Sequence, residues 1–260
     1  MSLLAVNDIG IAFGGIKAID GVGFKVDAGE VYSIIGPNGA GKTTLFNVIS
    51  GIYEASSGQV ELGGVNVTHL APDALAARGL SRTFQNLQIF QRMSAAENVM
   101  VGRHLQERCN LFADLLRLPS VTRQNRITRA AALTYLDEVG LRSSADITAG
   151  ALSYGACKRM EIARALASEP RVLLLDEPAA GCNAVETAEI EHLICRVAAK
   201  GIAVVLVEHD MKLVMKISNK VLVLERGRAL IEGSPREVRE SPAVLEAYLG
   251  KHGAREAARA

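Results

Sequence analysis

No apolar run in the 260 residues approaches the ~18 needed to span a bilayer. The longest, residues 172–175 and 202–207, have the length of buried strands. The opening Met1-Ser2-Leu3-Leu4 lacks the basic region and long apolar stretch of a signal peptide, so the expectation is a cytoplasmic protein. Cysteine is scarce. The four, Cys109, Cys157, Cys182 and Cys195, show no C-x-x-C pairing and no histidine partner at zinc spacing, which reads as reduced thiols. The five histidines are scattered, and no metal cluster suggests itself among them. Charge of one sign is not in excess: 29 Lys and Arg face 28 Asp and Glu, a net +1. Bulk electrostatics therefore call for neither a nucleic acid nor an anionic membrane surface. Low-complexity segments and sustained heptads are absent too. With hydrophobic residues at 49%, the chain is expected to be globular, as one large domain with room for an inserted lobe.

What is present concentrates at Gly36-Pro37-Asn38-Gly39-Ala40-Gly41-Lys42-Thr43-Thr44, which fits G-x-x-x-x-G-K-S/T. The apolar run Val31-Tyr32-Ser33-Ile34-Ile35 enters it, and the helical pattern Leu45-Phe46-Asn47-Val48-Ile49 leaves it. Strand, glycine loop and helix together make a phosphate-binding loop. Glycines let backbone N–H groups converge on phosphate oxygens, and the helix presents its positive end to the same anion. Lys42 supplies a point charge for the β- and γ-phosphates, and the Thr43 hydroxyl can ligate Mg²⁺.

Strands are expected at residues 4–6, 9–13, 22–26 and 59–62, with turns at 27–30 and 63–64. Between about 91 and 168 the chain reads as a helical lobe, with amphipathic spacing at 110–118 and 128–139 and a break at Pro119-Ser120. Strands return at 172–175, 202–207 and 221–224, with helices at 157–168, 184–199 and 211–217. That alternation predicts a mostly parallel, covered sheet. Residues 1–250 are expected to form a single domain, and 251–260 a frayed tail.

Two further segments carry chemistry. Val172-Leu173-Leu174-Leu175-Asp176-Glu177-Pro178 is an apolar strand ending in two carboxylates, where α/β sheets place their ligands. Asp176 there can hold Mg²⁺ through water, and Glu177 can deprotonate an attacking water. Leu152-Ser153-Tyr154-Gly155-Ala156 puts Ser and Gly just before a helix, either as a plain N-cap or as a second anion site. A dimer in which each subunit caps the other's nucleotide needs such a site.

With these segments in hand the chain resembles the nucleotide-binding subunits of ABC transporters over nearly its whole length. The resemblance implies a P-loop NTPase of ABC type, α/β, with a mostly parallel core sheet, an antiparallel β subdomain and an inserted helical lobe. Leu152–Ala156 matches the signature, usually L-S-G-G-Q. Gln85 looks like the Q-loop glutamine, His209 like the switch histidine, and Ala180-Gly181-Cys182-Asn183 like the D-loop. Phe13 takes the place of the aromatic residue that stacks on adenine. The L-S-Y-G variant, Glu208–Met215 and the tail Ala247-Tyr248-Leu249-Gly250 resemble branched-chain amino acid importers. Urea and amide importers share much of this pattern, a lipopolysaccharide exporter subunit is a rival, and a soluble ABC-type ATPase acting on ribosomes or DNA is the alternative from a different class.

The resemblance implies ATP and Mg²⁺ as cofactors. Gly36 to Thr44, Phe13, Gln85, Ser153 and Gly155 would bind nucleotide, and Thr43, Gln85 and Asp176 the metal. Glu177, His209 and Lys42 would carry catalysis. Implied partners are an identical or paralogous ATP-binding subunit, a separate multispanning permease, and indirectly an extracytoplasmic solute-binding protein. The place is the cytoplasmic face of the inner membrane, and no nucleic acid is involved. Two departures stand out: Ala156 where the signature usually has Gln, and Cys182-Asn183-Ala184 where Leu-Asn-Pro is usual. Cys157, next to the signature, reads two ways. It is either a thiol activated by the helix dipole at the edge of the nucleotide sandwich, or an inert half-buried one.

Overall fold

The computed structural model describes residues 2–107 and 119–248. The stretch expected at 110–118 and the tail expected at 251–260 lie outside the described residues. By its contacts the chain divides into two units. The first comprises Met1–Leu80, Arg171–Glu177 and Ile194–Ala260; the second, Ser81–Pro170 and Pro178–Leu193.

In the first unit, β1 (Ser2–Phe13) pairs antiparallel with β2 (Ile16–Asp27) and with β4 (Ser57–Leu62). The two strands expected at 4–6 and 9–13 are one. Asp8 takes a positive φ of 54°, and the register shifts between Val6 and Ile9. That bulge lets Leu4, Val6, Ile9 and Ile11 all stay buried although Asn7-Asp8 interrupts the two-residue period. The short β5 (Val65–Asn66) completes a sheet of order β2-β1-β4-β5, the antiparallel subdomain.

The larger sheet holds β3 (Val31–Ile35), β6 (Leu80–Arg82), β7 (Val172–Asp176), β8 (Ala203–Val207), β9 (Lys220–Glu225) and β10 (Arg228–Gly233). Its order is β10-β9-β3-β8-β7-β6. The β9-β3-β8-β7 neighbours are parallel, and β10 is antiparallel at one edge. Every residue of β3, β7 and β8 is buried, which is why these strands read as unbroken apolar runs. α1 (Lys42–Ile49) buries Leu45, Phe46, Val48 and Ile49 in the core beneath β1 and β2. Each large side chain so buried contributes about 1.5–3 kcal/mol. The helices α2 (Pro72–Ala77), α7 (Met211–Ile217) and α8 (Pro235–Glu240) also belong to this unit.

The second unit packs α3 (Ala95–Val101), α4 (Pro119–Glu138) and α5 (Tyr154–Leu166) on one another. A reciprocal Ser94–Glu97 cap starts α3. α4 runs from Pro119, well ahead of the pattern beginning at 128. Residues 122–126 carry no apolar stripe that would disclose the helix. α6 (Ala184–Ala199) starts in this unit and begins and ends where the sequence predicts.

Candidate functional site

The phosphate loop lies between β3 and α1. Gly36 leaves β3 with φ 152°, and a β-carbon there would fall 2.2 Å from the Leu224 carbonyl oxygen on β9. Glycine is thus required for the loop to turn away beside β9. The loop is held from within and behind: Ala40 N–H donates to the Pro37 carbonyl at 3.1 Å, and Gly227 N–H to the Ala40 carbonyl at 2.9 Å. Lys42 Nζ arches back and donates to the carbonyls of Gly36 at 2.7 Å and Pro37 at 3.1 Å. Burial pushes its ammonium pKa down, and the carboxylates of Glu177 and Asp176 oppose that shift. Serine or aspartate side chains cap α3, α5, α7 and α8. No side chain caps the N-terminus of α1, and its first turn carries no acidic residue. A glycine-rich loop, a helix start without a side-chain cap and an ammonium make a cradle whose chemistry fits a polyphosphate. Asn38, Gly39 and the Thr43 side chain face solvent at its mouth, with Thr44 half-buried behind.

The carboxylates arrive from the neighbouring strand ends. Asp176 closes β7 and is buried. Glu177 follows with φ 48°, uncommon for a residue with a side chain, and its N–H donates to the Val207 carbonyl at 2.9 Å. That bond ties the turn after β7 to the end of β8. His209 lies just beyond β8, before α7, whose first turn Asp210 caps. Its Nδ1 is 3.8 Å from carboxylate oxygens of both Glu177 and Glu208, within reach of charge but too far for a hydrogen bond. Lys42, Asp176, Glu177 and His209 thus gather in the first unit, at the carboxyl ends of β3, β7 and β8.

Phe13 ends β1 and is half exposed; its ring meets Tyr53 edge-on, with centroids 5.4 Å apart. Tyr53 carries no motif signal in the sequence. Another residue without one is Tyr248, in the helical residues 242–248. Burial pushes its phenol pKa up, against a hydrogen bond from the Gly36 backbone that lowers it.

Gln85, Ser153 and Gly155 belong to the second unit. Gln85 is exposed in the loop after β6, where Lys158 Nζ donates to its carbonyl at 3.4 Å. Ser153 is the N-cap of α5, and its Oγ accepts from Ala156 N–H at 3.2 Å. The Tyr154 ring lies on Gly181 of the D-loop: a β-carbon at Gly181 would fall 3.0 Å from it. Glu186, at the start of α6, reaches both Ser153 and Gly155. Ala184 opens α6 in the place where proline is usual, and alanine serves a first helical position without penalty.

Cys157 is the inert thiol of its two readings. It lies one turn into α5 and is buried, with Sγ–H donating to the Ala149 carbonyl at 3.5 Å. Burial pushes its pKa up. Burial disfavours the thiolate, which is the form that reacts. A variant keeping Cys157 alone is expected to react with maleimide about 10-fold or more slowly than one keeping the exposed Cys195. Stopped-flow labelling of the folded proteins decides this, and equal rates would restore the reactive reading.

A family model described as ABC transporter matches residues 19–180, and another, described as branched-chain amino acid ATP-binding cassette transporter, matches residues 232–254. The chain is 42% identical over 250 residues to the high-affinity branched-chain amino acid transport ATP-binding protein BraF of Pseudomonas aeruginosa, covering 96% of this chain and 98% of that protein. To LivG of Escherichia coli, with the same description, it is 40% identical over the same shares. The lipopolysaccharide export system ATP-binding protein LptB of Acidithiobacillus ferridurans is 36% identical over 88% of this chain and 89% of that protein. Among solved structures, the ADP conformation of an ATP-binding cassette of an ABC transporter superposes with a TM-score of 0.84 at 32% identity, covering 96% of this chain and 100% of that one. A dimeric post-hydrolysis cassette bound to ADP and Pi gives 0.75 at 25% identity, over 90% and 99%. The chain belongs to the ABC transporter family, as an ATP-binding and ATP-hydrolysing subunit.

Proposed function

We propose that this subunit powers the import of branched-chain amino acids from the cytoplasmic face of the inner membrane. It does so through a separate multispanning permease fed by an extracytoplasmic solute-binding protein. Among the described residues no helix is long and apolar enough to cross a membrane. The joint match to BraF over nearly the whole chain and to the branched-chain amino acid transporter model at residues 232–254 supports this reading best. The lipopolysaccharide exporter relative matches less of the chain at lower identity. In vesicles holding the co-purified permease, this subunit is expected to drive ATP-dependent uptake of labelled leucine, isoleucine and valine when binding protein is supplied. Co-purification with an exporter and no amino acid uptake would overturn the assignment.

Two such subunits, identical or paralogous, sandwich two ATP molecules head to tail. The phosphate loop of one faces Ser153 and Gly155 of the other. Closure assembles the site, hydrolysis releases it, and the cycle moves the permease between inward- and outward-facing states. Glu177 is the general base, His209 contacts the γ-phosphate and the attacking water, and Lys42 neutralises charge on the β- and γ-phosphates. Mg²⁺ suits the oxygen donors Thr43 and Asp176 and, when bound, would neutralise charge on the phosphates. The role of Gln85 as a further ligand rests on the resemblance alone. The helical lobe and the Gln85 loop receive a cytoplasmic helix of the permease.

Phe13 is the platform for adenine, steadied by Tyr53. Base–aromatic stacking is worth about 1–3 kcal/mol, so Phe13→Ala is expected to weaken ATP binding by about 5- to 150-fold. Calorimetric titration measures this. An unchanged affinity would remove the Phe13–Tyr53 pair from the base site.

A further inference from the structure

The N-terminus of α5 already holds an anion, and the chain itself supplies it. Oε1 of Glu186 accepts from Gly155 N–H at 3.2 Å and from the Ser153 hydroxyl at 3.3 Å. Its Oε2 accepts from Asn183 N–H at 3.1 Å. Asn183 Oδ1 in turn accepts from the N–H groups of Val185 at 2.9 Å and Glu186 at 3.0 Å. Asn183 and Glu186 therefore cap the first turn of α6 reciprocally. One carboxylate oxygen closes that cap and the other is seated on the signature. Gly155 makes the approach possible, because a β-carbon there would lie 2.3 Å from the Glu186 carboxyl carbon. The Ser153 hydroxyl is oriented to match: its oxygen accepts from Ala156 N–H, which leaves its proton for Glu186.

We propose that Glu186 is a specificity-determining residue for the nucleotide. Its carboxylate competes with phosphate for Gly155 N–H and the Ser153 hydroxyl, so the sandwich closes only on an anion that displaces it. This rests on the reading of Ser153 and Gly155 as contacts to the γ-phosphate of the ATP held by the partner subunit. A γ-phosphate brings more charge and more acceptor oxygens than one carboxylate oxygen, so it wins the donors. ADP has no group at that position and leaves the carboxylate seated. The Asn183 contact lets the displaced side chain pivot on Oε2 without unravelling α6.

The test uses the full chain in a Glu177→Gln background, which keeps closed dimers from hydrolysing. Dimer fraction is followed by analytical ultracentrifugation against ATP and ADP, both with Mg²⁺. Glu186→Gln keeps the size of the side chain and its acceptor for Asn183 but removes the charge. The ATP midpoint for dimerisation is expected to fall by ~5-fold or more. ADP is expected to leave the parent monomeric and to give a detectable dimer in the variant. A residue that merely caps α6 predicts the reverse, a lower melting temperature with a higher ATP midpoint. An unchanged or raised midpoint overturns the proposal. Glu186→Asp, which still reaches Asn183 but falls short of Gly155, gives the same readout should the glutamine variant fold poorly. Ser153→Ala in the same background separates the two levels. If it dimerises with ATP as the parent does, the γ-phosphate reading fails and the proposal with it. If it does not dimerise while Glu186→Gln leaves the midpoint unmoved, Glu186 alone is wrong.

Discussion

Glu177→Gln is expected to bind ATP as the parent does while turning it over ~100-fold or more slowly. The phosphate contacts proposed for the loop after β3, the start of α1 and Lys42 all remain in the variant, although the Lys42 ammonium loses one of the two carboxylates that act on it. The backbone aim of the side chain does not depend on the carboxylate's charge. It follows from the positive φ of residue 177 and from the bond between its N–H and the Val207 carbonyl, both of which glutamine keeps. What glutamine lacks is the ability to take a proton from water. The variant should therefore accumulate an ATP-bound dimer, visible by size exclusion, because closure proceeds and release does not. Single-turnover hydrolysis and nucleotide affinity measured side by side check both halves. Full turnover in the variant would move the general base to another residue.

Lys42→Ala has the second-largest expected effect, and it falls on binding. Hydrogen bonds to charged groups are worth about 1.5–3 kcal/mol, so ATP affinity is expected to drop about 10- to 150-fold. Part of the role is already drawn in the fold: Nζ bridges the Gly36 and Pro37 carbonyls at the mouth of the loop, close enough to Asp176 and Glu177 to feel both. Burial disfavours its charge, and a phosphate facing it would restore what water supplies in the open. Removing the ammonium relieves that burial cost and at the same time takes a cation from the buried Asp176, so the melting temperature should change little. Fluorescent ATP binding and thermal denaturation together make the test. Unchanged affinity would exclude Lys42 from the phosphate site.

Much of this molecule is legible where neighbours in the chain do the work. β7 and β8 declare themselves as unbroken apolar runs because both of their faces are covered. α7 ends where its pattern does, and Asp210 caps its start. Other local signals are present but quieter. Ser94 with Glu97, and Ser234-Pro235 with Glu237, are complete capping boxes that mark α3 and α8, helices too short to show a stripe. β1 misleads because its bulge breaks the alternation that a strand should show.

The sequence by itself determined that this chain carries a phosphate loop, a strand-end pair of carboxylates and a signature-like helix start. Each is a short-range device, whose spacing and residue types are sufficient for its chemistry. Tertiary structure decided which groups meet. It turned Cys157 into the lobe, where burial pushes its thiol pKa up. It laid Tyr53 against Phe13, 5.4 Å between ring centroids. It brought Glu186 onto Gly155 across 31 residues of sequence, where the starts of two helices meet, rather than through any motif. Such contacts leave no local pattern, because the partners are selected by the shape of the folded surface and not by their distance along the chain.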